Sequence, residues 1–205
     1  MRDRAKAALS IGCSVLAAGA GARFGTPGEK LVAMTMGKRL AQHAIDAAAA
    51  SSASRCSLIV GAGAERVLAV VDARRLAVYT NDRWETGIAS SIALAALTHA
   101  QDDAFVLLLA DAPRVTTVDI DALIAAWLKR PDHPAALRSG AVWGSPAIFP
   151  RSTYAALARL RGDRGAKGAV LRDGRVTLVN ASTRAALADV DRRRDISRLN
   201  ARRTK

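Results

Sequence analysis

Apolar segments alternate with amphipathic ones along most of the chain, which is typical of strands followed by helices. Unbroken apolar runs predict strands at residues 8–17, 57–60, 76–79, 104–109, 147–149 and 176–179. Helical spacing of apolar residues predicts helices at residues 38–50, 65–71, 90–98, 117–128 and 152–160. Because alternating strands and helices form right-handed crossovers, this order predicts an α/β fold, doubly wound in three layers around a mostly parallel sheet.

Composition narrows the function classes. The 205 residues carry a net charge of +13, which favours anionic partners. Aromatic residues make up only 4% and do not alternate with the basic ones, so no dedicated nucleic-acid surface is predicted. No apolar run is long enough for a membrane span, and no signal peptide is recognisable. Cys13 and Cys56 are isolated and are interpreted as buried reduced thiols, so we expect a single cytoplasmic domain over residues 1–205.

A glycine-rich segment follows the first predicted strand, and residues 14–31 read SVLAAGAGARFGTPGEKL. A strand, a glycine turn and a helix leave free backbone N–H groups where an anion can bind. The P-loop pattern fails because Gly37 and Lys38 are followed by Arg39. The dinucleotide fingerprint fails because Phe24 takes the place of the third glycine. The alternatives are a phosphate loop of another kind and an ordinary tight turn.

This segment resembles the opening motif of the nucleotidyltransferases, L-A-A-G-x-G-x-R-F-G followed by K-L, and is most similar to that of the molybdenum cofactor nucleotidyltransferases. The resemblance implies a nucleotide-diphospho-sugar-transferase-like (Rossmann-like) fold. Arg23 would offer a forked donor set to phosphate oxygens, and Lys30 would act where charge builds on the α-phosphate. The residues that would bind the nucleotide are Leu16, Ala17, Ala18, Gly19, Gly21, Arg23, Lys30 and Asn81.

Two acidic segments extend the resemblance. Asp111, in LADAP at residues 109–113, matches the family's G-D-x-P at the end of the central strand. A carboxylate there lies in the binding crevice, and Mg²⁺ prefers one or two carboxylates together with substrate phosphates. The resemblance implies that Asp111 and Asp191 hold Mg²⁺, and that Lys30, Arg23 and Asp111 are catalytic. The chain departs from the family pattern at Ala110, Ala112 and Arg192–Arg193.

Three further segments resemble the acceptor side of the family's cleft, at residues 81–92, 144–149 and 160–167. The predicted helix at 90–98 would place serine hydroxyls and free amides at a second anion site, with simple N-capping as the alternative. The acceptor-binding residues implied by the resemblance are Gly87, Ser90, Ser91, Gly144, Pro146, Gly162 and Asp163.

The function implied by the resemblance is transfer of a nucleoside monophosphate from an NTP to molybdopterin, with release of pyrophosphate. Ala18 and Phe24 favour CTP over GTP by analogy with the cytidylyl members of the family. The implied partners are the nucleotide, molybdopterin, and an acceptor molybdoenzyme or its chaperone. Three alternatives stay open. The first is a nucleotidyltransferase for another phosphorylated acceptor, such as a sugar or polyol phosphate, and the second is a non-catalytic accessory protein that binds cofactor or nucleotide. The third is a basic nucleic-acid binder, which would show a DNA affinity that falls steeply with salt.

Overall fold

The computed structural model describes residues 9–170 and 176–201. Its strands are β1 (Ile11–Ala17), β2 (Met34–Thr35), β3 (Lys38–Arg39), β4 (Arg55–Val60), β5 (Ala77–Thr80), β6 (Ala104–Leu109), β7 (Ala135–Ser139), β8 (Val142–Pro150) and β9 (Thr177–Asn180). Its helices are α1 (Glu29–Val32), α2 (Leu40–Ala49), α3 (Ala64–Leu68), α4 (Ile88–Thr98), α5 (Thr117–Lys129), α6 (Tyr154–Ala158), α7 (Ala166–Val170) and α8 (Arg193–Ala201).

The main sheet has seven strands in the order β5-β4-β1-β6-β8-β7-β9. Strand β8 runs antiparallel to β6 and β7, and the other neighbouring pairs are parallel. The mostly parallel sheet is therefore confirmed. The sequence prediction missed β7, and the strand expected at 147–149 is the end of the longer β8. Strand β1 begins at Ile11, whereas residue 8 of the predicted strand lies outside the described residues.

Helices cover both faces of the sheet, which confirms the three-layer arrangement. On one face, apolar residues of α2, α3 and α5 join the buried cluster that contains Val15 and Val106. On the other face, residues of α4 and α6 pack with Phe105 and Phe149. Every residue of β1 is buried, because the strand lies between β4 and β6 with a helical layer on each side.

The packing bears on the expectation that both cysteines are buried. Cys13 is buried as expected, but Cys56, its neighbour in the β1–β4 register, is partly exposed at the start of β4. The correction follows from position, because β4 is covered only from Ser57 onward.

A buried polar network lies at the amino end of the central strands. Asp102 is fully buried and accepts hydrogen bonds from Ser10 Oγ at 2.5 Å and Arg55 Nε at 2.8 Å. A third partner of Asp102 is His99, whose Nδ1 lies 2.6 Å from Asp102 Oδ2 and whose Nε2 lies 3.1 Å from Ser57 Oγ. Burial lowers the pKa of His99 despite the neighbouring carboxylate, so the neutral imidazole is the buried form.

This network predicts a pH-dependent stability. Because the pKa of His99 is lower in the folded chain, the unfolded chain binds more protons as the pH falls below the ordinary histidine value. We expect the free energy of unfolding to fall between about pH 7 and pH 5, and to fall less steeply in His99→Gln. Urea unfolding of both proteins across this range measures the difference. Equal slopes for the two proteins would remove His99 as the cause.

Candidate active site

A cleft of about 350 Å³ opens at the carboxyl ends of β1 and β6. The loop after β1 forms one wall, and the start of α4 forms the opposite wall. The residues that line the cleft are Leu16, Ala17, Ala18, Gly19, Ala20, Gly21, Lys30, Leu31, Trp84, Glu85, Gly87, Ile88, Ser91, Leu109, Asp111 and Asp163. The structure therefore brings most of the predicted nucleotide-binding residues together with part of the predicted acceptor set.

The loop after β1 is held by a tight turn and a buried anchor. Gly21 has a φ of +63°, and a side chain there would come within 3.3 Å of Lys30 Cβ, so both the backbone and the space require glycine. The amide of Phe24 donates to the Gly21 carbonyl at 2.7 Å. The Phe24 ring is buried with Leu40 and Val190, so it fastens the loop to the body of the domain.

Lys30 and Asp111 form the central ion pair of the cleft. Lys30 Nζ donates to Asp111 Oδ2 at 2.5 Å, and both side chains are largely buried. Helix α1 carries Lys30, and Asp111 follows the end of β6. The other carboxylate oxygen of Asp111, Oδ1, is buried and has no hydrogen-bond partner among the described residues. This site therefore holds an acceptor oxygen that a cation or a donor group could satisfy.

The segment before α8 brings two more carboxylates to this point. The amide of Val190 donates to the Asp111 carbonyl at 3.0 Å, which places Asp189 and Asp191 on either side of that contact. Desolvation by the surrounding groups, followed by the charge of Asp111 and against the opposing charge of Lys30, raises the pKa of the Asp189 carboxyl to about 6. Asp191 is exposed, as Asp189 is, and accepts a hydrogen bond from Arg23 at 3.2 Å.

Asp189 is an acid near the site to which the sequence interpretation gave no role. It stands in the same D-x-D segment as Asp191, and both acids are exposed on either side of the buried Val190. Asp189 lines a separate surface pocket together with Arg114 and Asp195, and it is not part of the cleft lining. Within residues 9–170 and 176–201, no group of three or more His, Cys, Asp or Glu side chains is arranged around one metal position. A bound divalent cation would thus depend on phosphate oxygens and water for the rest of its ligands.

Two predicted nucleotide-binding residues lie outside the cleft lining. Arg23 is mostly exposed and pairs with Asp191. Asn81 is buried, and its Nδ2 donates to Ser90 Oγ at 2.8 Å and to Ser91 Oγ at 2.9 Å. In this arrangement Asn81 fixes the start of α4 rather than pointing into the cleft.

The start of α4 differs from the prediction. The helix begins at Ile88, two residues before the predicted start. The amide of Ala89 donates to the Gly162 carbonyl at 3.1 Å, and the amide of Ser90 donates to the Gly87 carbonyl at 3.2 Å. The expectation of free amides at Ser90 is therefore wrong, because the 87–90 turn uses that amide internally.

The acceptor residues are divided between two places. Gly87, with a φ of +97°, lies against the turn at Gly162 and Asp163, where a side chain on Gly87 would come within 2.8 Å of Asp163 Oδ1. Gly144 and Pro146 belong to β8 and are not among the described residues that line the cleft. The structure thus joins the 87 and 162–163 segments and leaves the β8 pair apart.

Comparison with known proteins agrees with this geometry. A family model described as a MobA-like NTP transferase domain matches residues 13–179, the part of the chain that carries the glycine loop, Lys30 and Asp111. The chain belongs to this family. A solved homologue of Rv0371c from Mycobacterium sp. strain JC1 is 25% identical, with a TM-score of 0.81 over 95% of this chain and 98% of that chain.

Two further known proteins are similar to this chain. Rv0371C of Mycobacterium tuberculosis H37Rv, solved in complex with manganese, is 25% identical, with a TM-score of 0.78 over 94% of this chain and 98% of that chain. The bifunctional protein GlmU of Alcanivorax borkumensis is 26% identical over 117 residues, 57% of this chain and 25% of GlmU. The match therefore spans a quarter of that curated relative.

The chain has the nucleotide-diphospho-sugar-transferase-like α/β fold and carries a MobA-like NTP transferase domain. Among its described residues, none of the helices is both long enough and apolar enough to cross a bilayer. The cleft lies where ligands bind in open α/β sheets, outside the carboxyl ends of the strands. The glycine loop, Lys30 and Asp111 line it, and Asp111 Oδ1 has no hydrogen-bond partner among the described residues, a combination that suits a charged phosphate ester bound together with a cation.

Proposed function

We propose that this transferase moves CMP from CTP to the terminal phosphate of molybdopterin and releases pyrophosphate. The Lys30–Asp111 pair beside the glycine loop carries the proposal, because it places a cation and a carboxylate at the same wall of the cleft. The sequence resemblance supports molybdopterin as the acceptor, with a molybdoenzyme or its chaperone as recipient of the product. We also propose one domain over residues 1–205 that acts in the cytoplasm.

The proposed reaction is an in-line displacement at phosphorus. An oxygen of the acceptor phosphate attacks the α-phosphorus, a new P–O bond forms, and the bond to the β-phosphate breaks with its electron pair leaving on pyrophosphate. An acceptor phosphate is ionised at neutral pH, so no general base is needed. Lys30 would stabilise the charge that develops on the α-phosphate oxygens, and Arg23, once released from Asp191, would contact the leaving phosphates.

The acidic residues of the site fit a divalent cation. Asp111 Oδ1 is buried without a partner among the described residues, and Asp189 and Asp191 lie in the adjoining segment. Asp111, with Asp189 or Asp191, would hold Mg²⁺, and the manganese complex of the related Rv0371C supports divalent metal use. The bound ion would neutralise triphosphate charge and polarise the phosphoryl oxygens.

Pyrophosphate release tests the function directly. The assay combines CTP, GTP or ATP with Mg²⁺ and with molybdopterin, a sugar phosphate or a polyol phosphate as acceptor. We expect release with CTP and molybdopterin. Release with another acceptor alone would assign the other class of nucleotidyltransferase, and nucleotide binding without release from any acceptor would assign a non-catalytic accessory protein.

The base preference gives a separate prediction. Ala18 is a buried residue of the cleft lining, and its carbonyl accepts the amide of Ala62. The preference for CTP rests on the resemblance of Ala18 and Phe24 to the cytidylyl members of the family. At nucleotide concentrations near one hundred times Kd, we expect CTP with Mg²⁺ to raise Tm by about 5–10 °C, and GTP to raise it less.

Thermal denaturation of the wild type and of Ala18→Gly measures this preference. The variant carries the glycine that the guanylyl members of the family tend to have at this position, and it is expected to bring the GTP shift closer to the CTP shift. A larger shift with GTP in the wild type would overturn the base assignment. Phe24 packs with Leu40 and Val190 away from the cleft, so any influence it has on the base acts through the loop.

A further inference from the structure

Two ion pairs join the phosphate-binding loop, defined here as residues 19–28, and the adjoining α1 to the segment that leads into α8. Arg23 of the loop pairs with Asp191 at 3.2 Å. Glu29, the first residue of α1, pairs with Arg193, the first residue of α8. Arg23 and Glu29 are close to each other in sequence, and so are Asp191 and Arg193. More than half of the chain separates the first two residues from the last two.

Glu29 fixes the first turn of α1. Its Oε2 accepts hydrogen bonds from the Thr26 amide at 3.0 Å and from Thr26 Oγ1 at 3.3 Å, and the Glu29 amide donates to the Thr26 carbonyl at 3.0 Å. The Thr26 amide, followed by Arg193, lowers the pKa of Glu29, so its carboxylate is charged at neutral pH. Lys30 is the next residue, and its direction depends on this turn.

Arg193 also contacts Phe24, in the middle of the loop. Its guanidinium group lies 5.1 Å from the centre of the Phe24 ring, within the range of a cation–π contact. Gly25, which follows Phe24, also lies close to Arg193. A Cβ added at Gly25 would lie 3.4 Å from Arg193 Nη2. One side chain of α8 therefore touches the loop at Phe24 and α1 at Glu29.

The start of α8 is itself held in place. Asp195 Oδ2 accepts the amide of Asp191 at 3.1 Å and the amide of Arg192 at 2.8 Å. Ile196 and Leu199 pack against the buried cluster that contains Phe24. The Arg193 side chain, which contacts the loop, therefore extends from a segment that hydrogen bonds and apolar packing hold in place. Arg193 is one of the positions where the chain departs from the pattern of the resembled family.

We propose that Arg193 is a positioning residue, which holds Glu29 and Phe24 so that the loop and Lys30 are set before the nucleotide arrives. The role of Arg193 in nucleotide binding rests on the proposed function, whereas its role in ordering the loop does not. An exposed ion pair adds little to global stability, so the effect of Arg193 is local order rather than folding. A pre-ordered loop spares the nucleotide the entropy of ordering it.

The test compares Arg193→Ala with Arg193→Lys and with a matched control, Arg194→Ala. Arg194 is the next residue of α8, and its exposed side chain makes no hydrogen bond or ion pair among the described residues. Without nucleotide, we expect hydrogen exchange of amides 21–33 to rise on the order of tenfold in Arg193→Ala, with Tm nearly unchanged. We expect Arg193→Lys to restore part of the protection and Arg194→Ala to match the wild type.

A second measurement addresses binding. We expect Arg193→Ala to weaken CTP affinity and to lower kcat/KM on the order of tenfold, because a misplaced loop costs both binding and orientation. The double variant Glu29→Arg with Arg193→Glu should recover part of the affinity that each single change loses.

Either of two results would overturn the proposal. One is wild-type exchange of the loop in Arg193→Ala, and the other is a loosened loop with wild-type CTP affinity and kcat/KM. If the wild type binds no nucleotide and releases no pyrophosphate, the proposed function fails, while the exchange comparison still decides whether Arg193 holds the loop.

Discussion

Replacing Asp111 with Asn is expected to lower kcat for pyrophosphate release by about 10²–10³-fold. The substitution keeps the size of the side chain but removes its charge. A neutral amide is a poor ligand for a hard divalent cation. The substitution also removes the negative charge that pairs with Lys30, whose Nζ lies 2.5 Å from Asp111 Oδ2 in the wild type. Because Oδ1 has no hydrogen-bond partner among the described residues, no internal contact at that atom is lost when it becomes part of an amide.

The measurement is steady-state pyrophosphate release with saturating CTP, Mg²⁺ and acceptor. Asp132→Asn is the matched control, because Asp132 lies on the exposed surface after α5 and loses the same charge. We expect the control to keep wild-type turnover. An Asp111→Asn protein with turnover within about threefold of the wild type would remove Asp111 from the catalytic set.

Replacing Lys30 with Met is expected to reduce kcat by about 10²–10³-fold, with a smaller change in CTP affinity. The methionine keeps most of the buried stem and removes the ammonium group, which would meet charge that grows only as the α-phosphorus is attacked. It also leaves the Asp111 carboxylate without its ion-pair partner. Lys30→Arg should not restore activity, since the loop backbone at Gly21 packs against the Lys30 stem.

Lys38→Met is the control for this second change. Lys38 forms an ion pair with Asp46 at 2.5 Å, as Lys30 does with Asp111, but on the exposed surface away from the cleft. We expect single-turnover rates of Lys38→Met to equal those of the wild type. If Lys30→Met kept the wild-type rate of the chemical step and lost only affinity, Lys30 would be a nucleotide-binding residue with no part in catalysis.

Local patterns were sufficient for much of the fold. The unbroken apolar runs at β1 and β6 predict buried central strands, and both lie at the middle of the sheet. The same reasoning failed at β7, where Arg138 and Ser139 interrupt the apolar pattern. This strand is specified by its pairing with β8 and β9, which is a property of the assembled sheet.

The direction of side chains at the site could not be predicted in the same way. The sequence interpretation selected Asp191 and gave Asp189 no role, although the charges of Asp111 and Lys30 both act on the Asp189 carboxyl. Asn81 was expected to contact the nucleotide, and it instead binds the two serine hydroxyls at the start of α4. Which side of a turn faces a cleft depends on contacts with segments that are distant in sequence. The spacing of residues along the chain does not encode those contacts.

The amino-acid sequence by itself determined the α/β architecture, the glycine loop and the presence of a lysine and an aspartate after two buried strands. Each of these follows from short-range rules, the period of apolar residues and the backbone freedom of glycine. The tertiary structure alone decided that Lys30 meets Asp111 across 81 positions of sequence and that Arg193 reaches Glu29 across 164. Such contacts exist only after the sheet has brought the ends of its strands together, because they join segments that share no local pattern.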